Sequence, residues 1–308
     1  MEIIKRLKAI SDETRLRILF VLLQYELNVN EIVSVIGMIQ SGVSRHLKIL
    51  MESGLLASRK DGSFIYYSAV ENGDNQRIIE VVRHALQEEP RALQDIRGAE
   101  QAIQDRLRRT KIFFRDVAKD WDTLKRQVIG GLDLDQIIEE KVSGCNVIAD
   151  LGCGTGELLE RLDARTSPQP TAQLIGVDSS VEMLDLARSR LSGSLKVNLR
   201  LGELEHLPMR NEEVQCIIMN MVLHHISTPR DVILEASRVM AQGGAFILSE
   251  FEQHDNEKVR KIMGGAWLGL DSGKIRSWLE RAGFECRSQQ THAVNHGLQV
   301  NIFSSIKR

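Results

Sequence analysis

The stretch Val147-Ile-Ala-Asp-Leu-Gly-Cys-Gly-Thr-Gly156 is an apolar run that ends in three alternating glycines. The run predicts a buried strand, and the glycines predict a turn with positive φ angles, through which the backbone approaches a ligand. The turn differs from the dinucleotide fingerprint GxGxxG, because Glu157 stands where the last glycine would be. A pyrophosphate at this place would meet the Glu157 carboxylate, which favours a ligand without phosphates.

Strand-like and helical segments alternate from about residue 137 onward, which is typical of a doubly wound parallel sheet of the Rossmann-like α/β class. Asp178 and Asn220 each end a predicted strand, and open α/β sheets bind ligands at the carboxyl ends of their strands. A carboxylate at Asp178 can accept hydrogen bonds from both hydroxyls of a ribose. The predicted strands are 146–151, 173–177, 196–201, 214–220, 245–250, 284–287 and 300–306, and the clearest helices are 157–162, 181–191 and 230–240.

The first 73 residues predict three or four helices followed by a hairpin, the arrangement of a winged helix-turn-helix. Ser11 or Asp12 can cap the second helix, Asn30 the third, and Ser41 opens a helix that runs to about residue 52. Two strand-like segments, 55–59 and 64–69, flank Asp61-Gly62, which is a strong signal for a hairpin turn.

The helix that Ser41 opens has its polar side chains on one face, where they suit the major groove of DNA. Val43, Leu47 and Leu50 would hold the opposite face against the domain. The charged hairpin suits contacts to the DNA backbone or minor groove. The alternative is a solvated helix face without a partner. The predicted DNA-binding residues are Ser41, Ser44, Arg45, His46, Lys48, Arg59 and Lys60.

Residues 74 to about 130 are charged, helical and poor in glycine. One helix breaks at Pro90, and a second is predicted from Arg91 to Trp121. Its apolar stripe must be buried somewhere, which leaves a helical connector and a pair of dimer helices as alternatives. We expect a DNA-binding domain at 1–89, a helical linker at 90–120 and a ligand-binding domain at 121–308.

The net charge, the cysteines and the apolar runs of the sequence limit the kinds of site and compartment that we expect. The net charge of −2 gives no overall attraction to nucleic acid, so DNA affinity requires a local basic patch. The four cysteines form no CxxC pair, which argues against a zinc or redox site and favours a reducing, cytoplasmic setting. Charges at the N-terminus argue against a signal peptide, and no run of about 18 apolar residues predicts a membrane span.

The N-terminal segment resembles the ArsR-type winged-helix repressors. The resemblance covers residues 1 to about 89 and is carried by 11–19, 40–50 and 53–56. It implies binding to a double-stranded DNA operator as a homodimer, with the helix around 75–88 in the dimer contact. Many members sense metals through a motif with two cysteines, but Asn28 and Asn30 occupy those positions here, so we expect no metal. His84 with Glu80 or Glu88 offers only a partial ligand set.

Residues 113 to 308 resemble the class I S-adenosylmethionine-dependent methyltransferases. The resemblance is carried by the motifs at 150–156, 176–184, 202–208, 219–226 and 237–244. It implies S-adenosyl-L-methionine as the cofactor, with its ribose at Asp178, its adenine by Met183 and its methyl group near Asn220. The implied cofactor-binding residues are Asp150, Gly152, Gly154, Gly156, Asp178, Ser179, Met183, Glu203, Leu204 and Asn220.

Two positions depart from the pattern of these methyltransferases. Glu203 stands where the family usually has Asp, which keeps the acceptor on a longer arm and leaves its adenine contact less certain. Ala241-Gln-Gly-Gly244 replaces the usual Lys-Pro-Gly-Gly, which we expect to alter only a surface turn.

Methyl transfer requires alignment of donor and acceptor, and an oxygen or carbon acid also requires a general base, whereas a soft thiolate or metalloid does not. His224 and His225 follow the fourth strand at the mouth of the expected site, and they are the candidate catalytic residues. The alternative is that both are packing or hydrogen-bonding groups. The stretch Gly264-Gly-Ala-Trp-Leu-Gly269 is either a lid over the acceptor or a buried turn.

The sequence therefore predicts a DNA-binding transcriptional regulator with a methyltransferase domain acting on a small-molecule acceptor. The alternative is a repressor that only senses S-adenosylmethionine or S-adenosylhomocysteine without turnover.

Overall fold

The structure is a computed structural model that describes residues 2–61, 63–71, 73–142, 144–164 and 173–308. The chain divides into two units, Met1–Arg106 and Leu107–Arg308. The segment expected as a linker is thus shared between them, with its first part in the first unit and its second part in the second. Within the described ranges, no helix combines the length and apolar character needed to cross a membrane.

The first unit has the predicted winged helix-turn-helix architecture. Its strands form an antiparallel sheet in the order β1-β3-β2, in which Asp61 pairs with Phe64 at the tip of the hairpin. Gly62 of the predicted turn lies outside the described residues. The elements are α1 (Glu2–Ile10), α2 (Glu13–Leu22), β1 (Leu27–Asn28), α3 (Val29–Ile36), α4 (Gln40–Glu52), β2 (Leu56–Asp61), β3 (Phe64–Ala69), α5 (Gly73–Leu86) and α6 (Pro90–Val117).

Local capping defines where the helices of this unit begin and end. Of the two predicted caps of α2, Ser11 and Asp12, it is Asp12 that accepts a hydrogen bond from the Arg15 amide. The prediction that Asn30 caps α3 is wrong, because the Asn28 side chain accepts from the amide of Glu31 while the Glu31 side chain accepts from the amide of Asn28. This reciprocal pair satisfies two amides that would otherwise lack partners, so α3 begins two residues earlier.

A buried ion pair joins α2 to the first part of α6. Arg17 donates from Nε and Nη2 to the two carboxylate oxygens of Asp95, at 2.6 and 2.7 Å, and both side chains are buried. The hydrogen bond to Asp95 raises the pKa of Arg17 despite its burial. Two parallel charge-assisted hydrogen bonds fix the position of α6 on α2 more closely than apolar contact alone.

The second unit is a three-layer α/β fold around a seven-stranded sheet in the order β6-β5-β4-β7-β8-β10-β9. The strands are β4 (Val147–Leu151), β5 (Gln173–Asp178), β6 (Val197–Leu201), β7 (Val214–Asn220), β8 (Met240–Phe251), β9 (Phe284–Ala293) and β10 (Gln299–Lys307). The helices are α7 (Trp121–Ile129), α8 (Leu134–Lys141), α9 (Glu157–Ala164), α10 (Val181–Arg190), α11 (Pro229–Val239), α12 (Glu257–Met263) and α13 (Ser272–Arg281).

The sheet is parallel from β6 to β8, but β10 runs antiparallel to both β8 and β9. The predicted doubly wound Rossmann-like fold is therefore confirmed, with one reversed strand near its edge. Strand β4 is at the centre, and four of its five residues are buried, because helices cover both faces of the sheet. The crossing point between β4 and β7 leaves an opening at their carboxyl ends, where such sheets bind ligands.

Three predicted boundaries are clearly wrong in the second unit. Strand β9, expected at 284–287, continues to Ala293. The helix expected from Arg91 to Trp121 ends at Val117, and a short 3-10 turn separates it from a new helix that begins at Trp121. Strand β8 begins at Met240 rather than Ala245, because Met240 already pairs with Val214 of β7. The longer β8 and β9 arise from pairing with neighbouring strands of the sheet, which the local sequence pattern does not show.

We expect Asp95→Ala to destabilise the first unit by about 3–5 kcal/mol, because it leaves the Arg17 guanidinium buried without a counter-charge. The control is Glu13→Ala, which removes the exposed Glu13–Arg91 pair and should cost less than about 1 kcal/mol. All three tryptophans lie in the second unit. Urea unfolding should therefore show a transition at lower denaturant in circular dichroism but not in tryptophan fluorescence, and coincident shifts in both signals would contradict the assignment.

Candidate functional site

An open cleft of about 1100 Å³ lies at the carboxyl ends of β4, β5 and β7. Nine of the ten residues predicted to bind a cofactor line it, and the exception is Gly156. Of the two predicted catalytic histidines, His225 lines the cleft and His224 does not. The predicted residues that the cleft brings together are Asp150, Gly152, Gly154, Asp178, Ser179, Met183, Glu203, Leu204, Asn220 and His225.

The glycine loop forms one wall of the cleft. Gly152 has a φ of +79°, and a Cβ atom there would lie 2.6 Å from Cγ2 of Val222, so neither the backbone angle nor the space admits a side chain. The Gly152 amide donates to the carbonyl of Val177 at 2.7 Å, which ties the loop to β5. The loop therefore presents bare backbone to the cleft, as a closely bound ligand requires.

Asp178 joins the end of β5 to this loop. Its carboxylate accepts hydrogen bonds from the amides of Gly154 at 2.8 Å and Ser180 at 2.9 Å. Burial raises the pKa of the Asp178 carboxyl, while these backbone hydrogen bonds oppose the shift. Each carboxylate oxygen has a second acceptor site, so Asp178 can fix the loop and still accept hydrogen bonds from a ligand hydroxyl.

Asp150 is the penultimate residue of β4, next to the loop, and is 2 % exposed. Its Oδ1 atom has no hydrogen-bond partner in the part of the chain that the structure describes. Burial, together with the negative charges of Asp135 and Asp178, raises the pKa of Asp150 to about 7, and Lys125 opposes the shift. A buried carboxylate oxygen without a partner fits a ligand that brings a hydrogen-bond donor or a positive charge.

Cys153 lies in the loop and is 8 % exposed. Burial raises the pKa of its thiol well above the usual range, and the charges of Asp178 and Asp150 add to the shift. The thiol is therefore protonated at neutral pH, which argues against a role of Cys153 as a nucleophile.

The opposite wall of the cleft was not predicted, because it comes from the segment that the sequence assigned mainly to a linker. Lys111, near the end of α6, forms an ion pair with Glu203 at 2.5 Å. Phe114 and Trp121 meet edge to face, with ring centroids 5.1 Å apart. These side chains lie far from the glycine loop in sequence, and their helical pattern alone does not show what they face.

A polar network fastens the start of α7 to the glycine loop. Asp122 accepts from Thr155 Oγ1 and from Arg190 Nη2, both at 2.6 Å. Burial opposes the ionisation of Asp122, but the hydrogen bonds from Thr155 and Arg190 lower its pKa. Lys125, one turn later, lies 2.6 Å from Glu157 and 3.7 Å from Asp135. The carboxylate of Glu157 is thus held by α7 at the point where a pyrophosphate would otherwise bind.

Asn220, at the end of β7, is fixed at both ends of its amide. Its Nδ2 donates to Asp135 at 3.0 Å, and its Oδ1 accepts from Ser249 Oγ at 2.7 Å. Met221, the next residue, has a φ of +61°, an unfavourable angle for a residue with a side chain. Such strain is typical of functional sites, and here it accompanies the sharp turn of the chain at the mouth of the cleft.

The two histidines have different surroundings. His225 lines the cleft between the rings of Phe114 and Trp121, at centroid distances of 4.7 and 5.9 Å. His224 lies behind it, with Nδ1 at 2.8 Å from the buried carboxylate of Glu250. The structure thus places His225 where it can reach a ligand and His224 where it supports His225, with their rings 3.9 Å apart.

Burial, and secondarily the neighbouring His224, hold the pKa of His225 well below its usual range, although the Gly264 backbone opposes the shift. Neither ring nitrogen of His225 makes a hydrogen bond of normal geometry to any described residue. A neutral imidazole with a free ring nitrogen can accept a proton from a bound molecule.

The glycine-rich stretch 264–269, expected to be either a lid over the acceptor or a buried turn, is a buried turn. Trp267 is 2 % exposed, its amide donates to the carbonyl of His224, and its indole donates to the carbonyl of Ile226. These bonds pack the turn behind the histidines, so it supports the site and does not cover it.

The candidate DNA-binding face lies on α4 in the first unit. Ser41, Ser44, Arg45 and Lys48 are exposed, whereas the three apolar residues of the opposite face, Val43, Leu47 and Leu50, are buried. This is the orientation that the sequence predicts for a recognition helix.

The remaining predicted DNA-binding residues differ from one another. His46 is half-buried, with Nδ1 3.7 Å from Asp12, and so faces the body of the domain. Arg59 is held by Glu26 and Asp61, at 3.0 and 2.9 Å, and lies over the ring of Tyr66. Lys60 is exposed on the hairpin. The exposed basic side chains of the prediction are therefore Arg45, Lys48 and Lys60.

Asn28, one of the two residues at the positions of the metal-binding cysteines, is engaged in capping α3. Among the residues that the structure describes, no group of three or more His, Cys, Asp or Glu side chains is arranged to hold a metal ion.

Comparisons with known proteins agree with this two-part architecture. Residues 12–58 match the family model for bacterial regulatory proteins of the arsR family, and residues 149–248 match the model for a methyltransferase domain. The chain therefore combines an arsR-type regulatory domain with a methyltransferase domain, which confirms the predicted fusion.

Individual relatives match parts of the chain. It is 26 % identical over 164 residues to a malonyl-[acyl-carrier protein] O-methyltransferase of Marinomonas sp. (strain MWYL1), a match that covers 51 % of this chain and 58 % of that protein. It is 30 % identical over 149 residues to an arsenite methyltransferase of Halobacterium salinarum, a match that covers 45 % of this chain and 37 % of that protein. The chain thus spans less than two thirds of the length of either relative.

A crystal structure of a SAM-dependent methyltransferase from Aquifex aeolicus has the same fold as part of this chain. The two share 18 % identity with a TM-score of 0.50, and the match covers 62 % of this chain and 97 % of that one. At this identity the comparison supports the fold of the methyltransferase domain alone.

We expect His225 to lower the free energy of unfolding as the pH drops below about 6.5, because it stays neutral in the folded protein and gains a proton when the chain unfolds. This one group contributes up to about 1.4 kcal/mol per pH unit. Asp150, with its pKa raised to about 7, acts in the opposite direction, so the contribution of His225 is read as a difference between variants. His225→Gln should lose the contribution of His225 to the change of unfolding free energy with pH. The control His206→Gln, at an exposed position, should retain that contribution. Denaturant unfolding between pH 5 and 7 measures both slopes, and identical slopes in wild type and His225→Gln would refute the assignment.

Proposed function

We propose that this protein is a DNA-binding transcriptional regulator whose second domain binds S-adenosyl-L-methionine and methylates a small-molecule acceptor. The observation that carries the proposal is the convergence of Asp150, Asp178 and the bare glycine loop in one cleft. The methyltransferase relatives and the two family matches support it. A DNA-binding domain on the same chain favours a cytoplasmic setting.

The residues of the cleft fit the proposed cofactor. The loop at Gly152 admits close contact, Asp178 has acceptor sites for the ribose hydroxyls, and the free oxygen of Asp150 suits the amino group of the methionine portion. Met183, Glu203 and Leu204 line the part of the cleft that would receive the adenine. When bound, the cofactor supplies an electrophilic methyl group on a sulfonium sulfur.

The protein's own residues would align the acceptor and exclude water. Phe114 and Trp121 provide apolar walls beside His225, and Asn220 is held rigidly at the mouth of the cleft. A hydroxyl or carbon acid as acceptor would transfer its proton to the free ring nitrogen of His225, which His224 and Glu250 position from behind. A thiolate or metalloid acceptor would need only the alignment.

The direct test incubates the full-length protein with methyl-labelled S-adenosylmethionine and small-molecule extracts of the host cell, followed by chromatography of labelled products. We expect a labelled product that is lost in a parallel reaction with Asp178→Ala. If the cofactor changes operator affinity and no extract yields a product, the protein is instead a non-catalytic sensing repressor.

We expect Asp178→Ala to weaken S-adenosylmethionine binding by about 2 kcal/mol, roughly 30-fold, because it removes charge-assisted hydrogen bonds to the ribose and releases the Gly154 amide. DNA binding should be unchanged. Calorimetry measures the cofactor affinity, with Asp185→Ala, an exposed acid on α10, as the matched control. Equal affinity in Asp178→Ala and wild type would remove the ribose assignment.

The first domain would bind its operator as a homodimer. Ile3, Ile4 and Leu7 on α1 and Val81 on α5 are between 44 % and 65 % exposed, an unusual exposure for apolar side chains that a second copy would cover. The resemblance of residues 1–89 to the ArsR-type repressors implies a dimer contact that includes α5. Two recognition helices related by a twofold axis read an inverted repeat.

We expect Arg45→Ala to weaken operator binding by about 1–3 kcal/mol if Arg45 contacts a base. The control is Arg97→Ala, which removes the same charge from an exposed position on α6. Duplexes selected by the full-length protein from a random pool supply the operator, and gel-shift titrations supply the affinities. Footprints should show two half-sites about one helical turn apart, and a single asymmetric half-site would contradict the dimer.

A further inference from the structure

The charge of the cleft is unbalanced. Its lining contains six carboxylates and two lysine ammonium groups, and its histidine is neutral. The six acids are Asp122, Asp150, Glu157, Asp178, Glu203 and Glu205, and the two lysines are Lys111 and Lys125.

Ion pairs account for half of these carboxylates. Asp122 pairs with Arg190, Glu203 pairs with Lys111, and Glu157 pairs with both Lys125 and Arg126. Lysine and arginine side chains therefore neutralise these three of the six carboxylates.

The other three carboxylates, Asp150, Asp178 and Glu205, form no ion pair with a lysine or arginine among the described residues. Asp178 has backbone amides and Glu205 has the Thr228 hydroxyl at 3.4 Å, while Asp150 retains the buried oxygen without a partner. Burial is the main cause of a raised pKa at all three. Each carboxylate is thus held in a setting where a positive charge from a ligand would lower its free energy.

We propose that these three unpaired carboxylates make the cleft selective for cationic nucleosides, so that the sulfonium cofactor binds more tightly than its neutral demethylated product. This inference rests on the proposed function, because it concerns the ligand of the same site. It assigns Asp150 and Glu205 a role in specificity that goes beyond simple hydrogen bonding to the cofactor.

Methyl transfer removes the positive charge from the sulfur of the cofactor, so a cleft that prefers cations would release the product. When the methyl group transfers, the sulfur–carbon bond breaks and its electron pair stays on sulfur, which becomes a neutral thioether. The acceptor's lone pair forms the new bond, and any proton it loses passes to His225. The positive charge therefore leaves the sulfur, while the ammonium group of the amino acid portion remains. The negatively charged cleft then faces one positive charge fewer, so the product binds less tightly. The protein would respond to the abundance of the methyl donor more than to its product.

The test is calorimetric titration of the full-length protein with three ligands at pH 7.5. S-adenosylmethionine and sinefungin carry a positive charge at or near the sulfur position, and S-adenosylhomocysteine does not. We expect both cationic ligands to bind at least about 10-fold more tightly than S-adenosylhomocysteine, which corresponds to about 1.4 kcal/mol. ATP, which is anionic, should not bind measurably.

The same titrations at pH 6 test the role of Asp150 without a substitution. The charged groups that face Asp150 are Asp135 of α8, Lys125 of α7 and Asp178 of β5, with the Cys153 thiol beside it. With a pKa of about 7, Asp150 is mostly protonated at pH 6 and mostly ionised at pH 7.5. The preference for the cationic ligands should therefore fall at pH 6.

Asp150→Asn should reduce the preference to less than about 3-fold, and the matched control Asp185→Asn, outside the cleft, should leave it unchanged. Glu205→Gln, at a less buried position, provides a second variant if Asp150→Asn does not fold. Equal or tighter binding of S-adenosylhomocysteine in the wild type would overturn the inference and leave the proposed function intact. Failure of all three nucleosides to bind would overturn both.

Discussion

The second domain depends on the attachment of the glycine loop to the neighbouring strand through the carboxylate of Asp178. The loop can approach a ligand only because residues such as Gly152 have no side chain, and a loop of this kind has few contacts of its own to hold it. Asp178 supplies the missing constraint by accepting from Gly154 and Ser180, and the carbonyl of Val177 accepts from Gly152. The same end of β5 therefore shapes the loop and offers acceptors to a ligand.

The cleft contains several buried carboxylates, and most of them need a partner for their negative charge. The cations Arg190 and Lys125 neutralise Asp122 and Glu157, respectively. Asp150, in contrast, has one carboxylate oxygen without a hydrogen-bond partner among the described residues. An unpaired buried carboxylate is costly in the free protein, which is reflected in the raised pKa of Asp150. Proteins retain such groups where a ligand completes the pairing, and the cleft has the walls and the volume to receive one.

Sequence reasoning succeeded where the signal is local and periodic. The strands from Val147 to Asn220, the capping of α2 by Asp12 and the buried and exposed faces of α4 all follow from short patterns of apolar and polar residues. It failed where a contact joins distant segments. The pairing of Asp122 with Arg190, of Lys111 with Glu203 and of Arg59 with Glu26 depends on how helices and strands pack, which no window of sequence displays. The opposite wall of the cleft was missed for the same reason, since Phe114 and Trp121 read as part of an amphipathic helix.

The burial of Cys153 has a consequence for the chemical safety of the site. A sulfonium methyl donor alkylates soft nucleophiles, and a thiolate beside it would be the first group to react. Here the thiol lies in the loop that would hold the donor, but burial, assisted by the negative charges of Asp178 and Asp150, raises its pKa and keeps it protonated. Burial of this thiol would thus protect the protein from methylating its own cysteine when the proposed donor is bound.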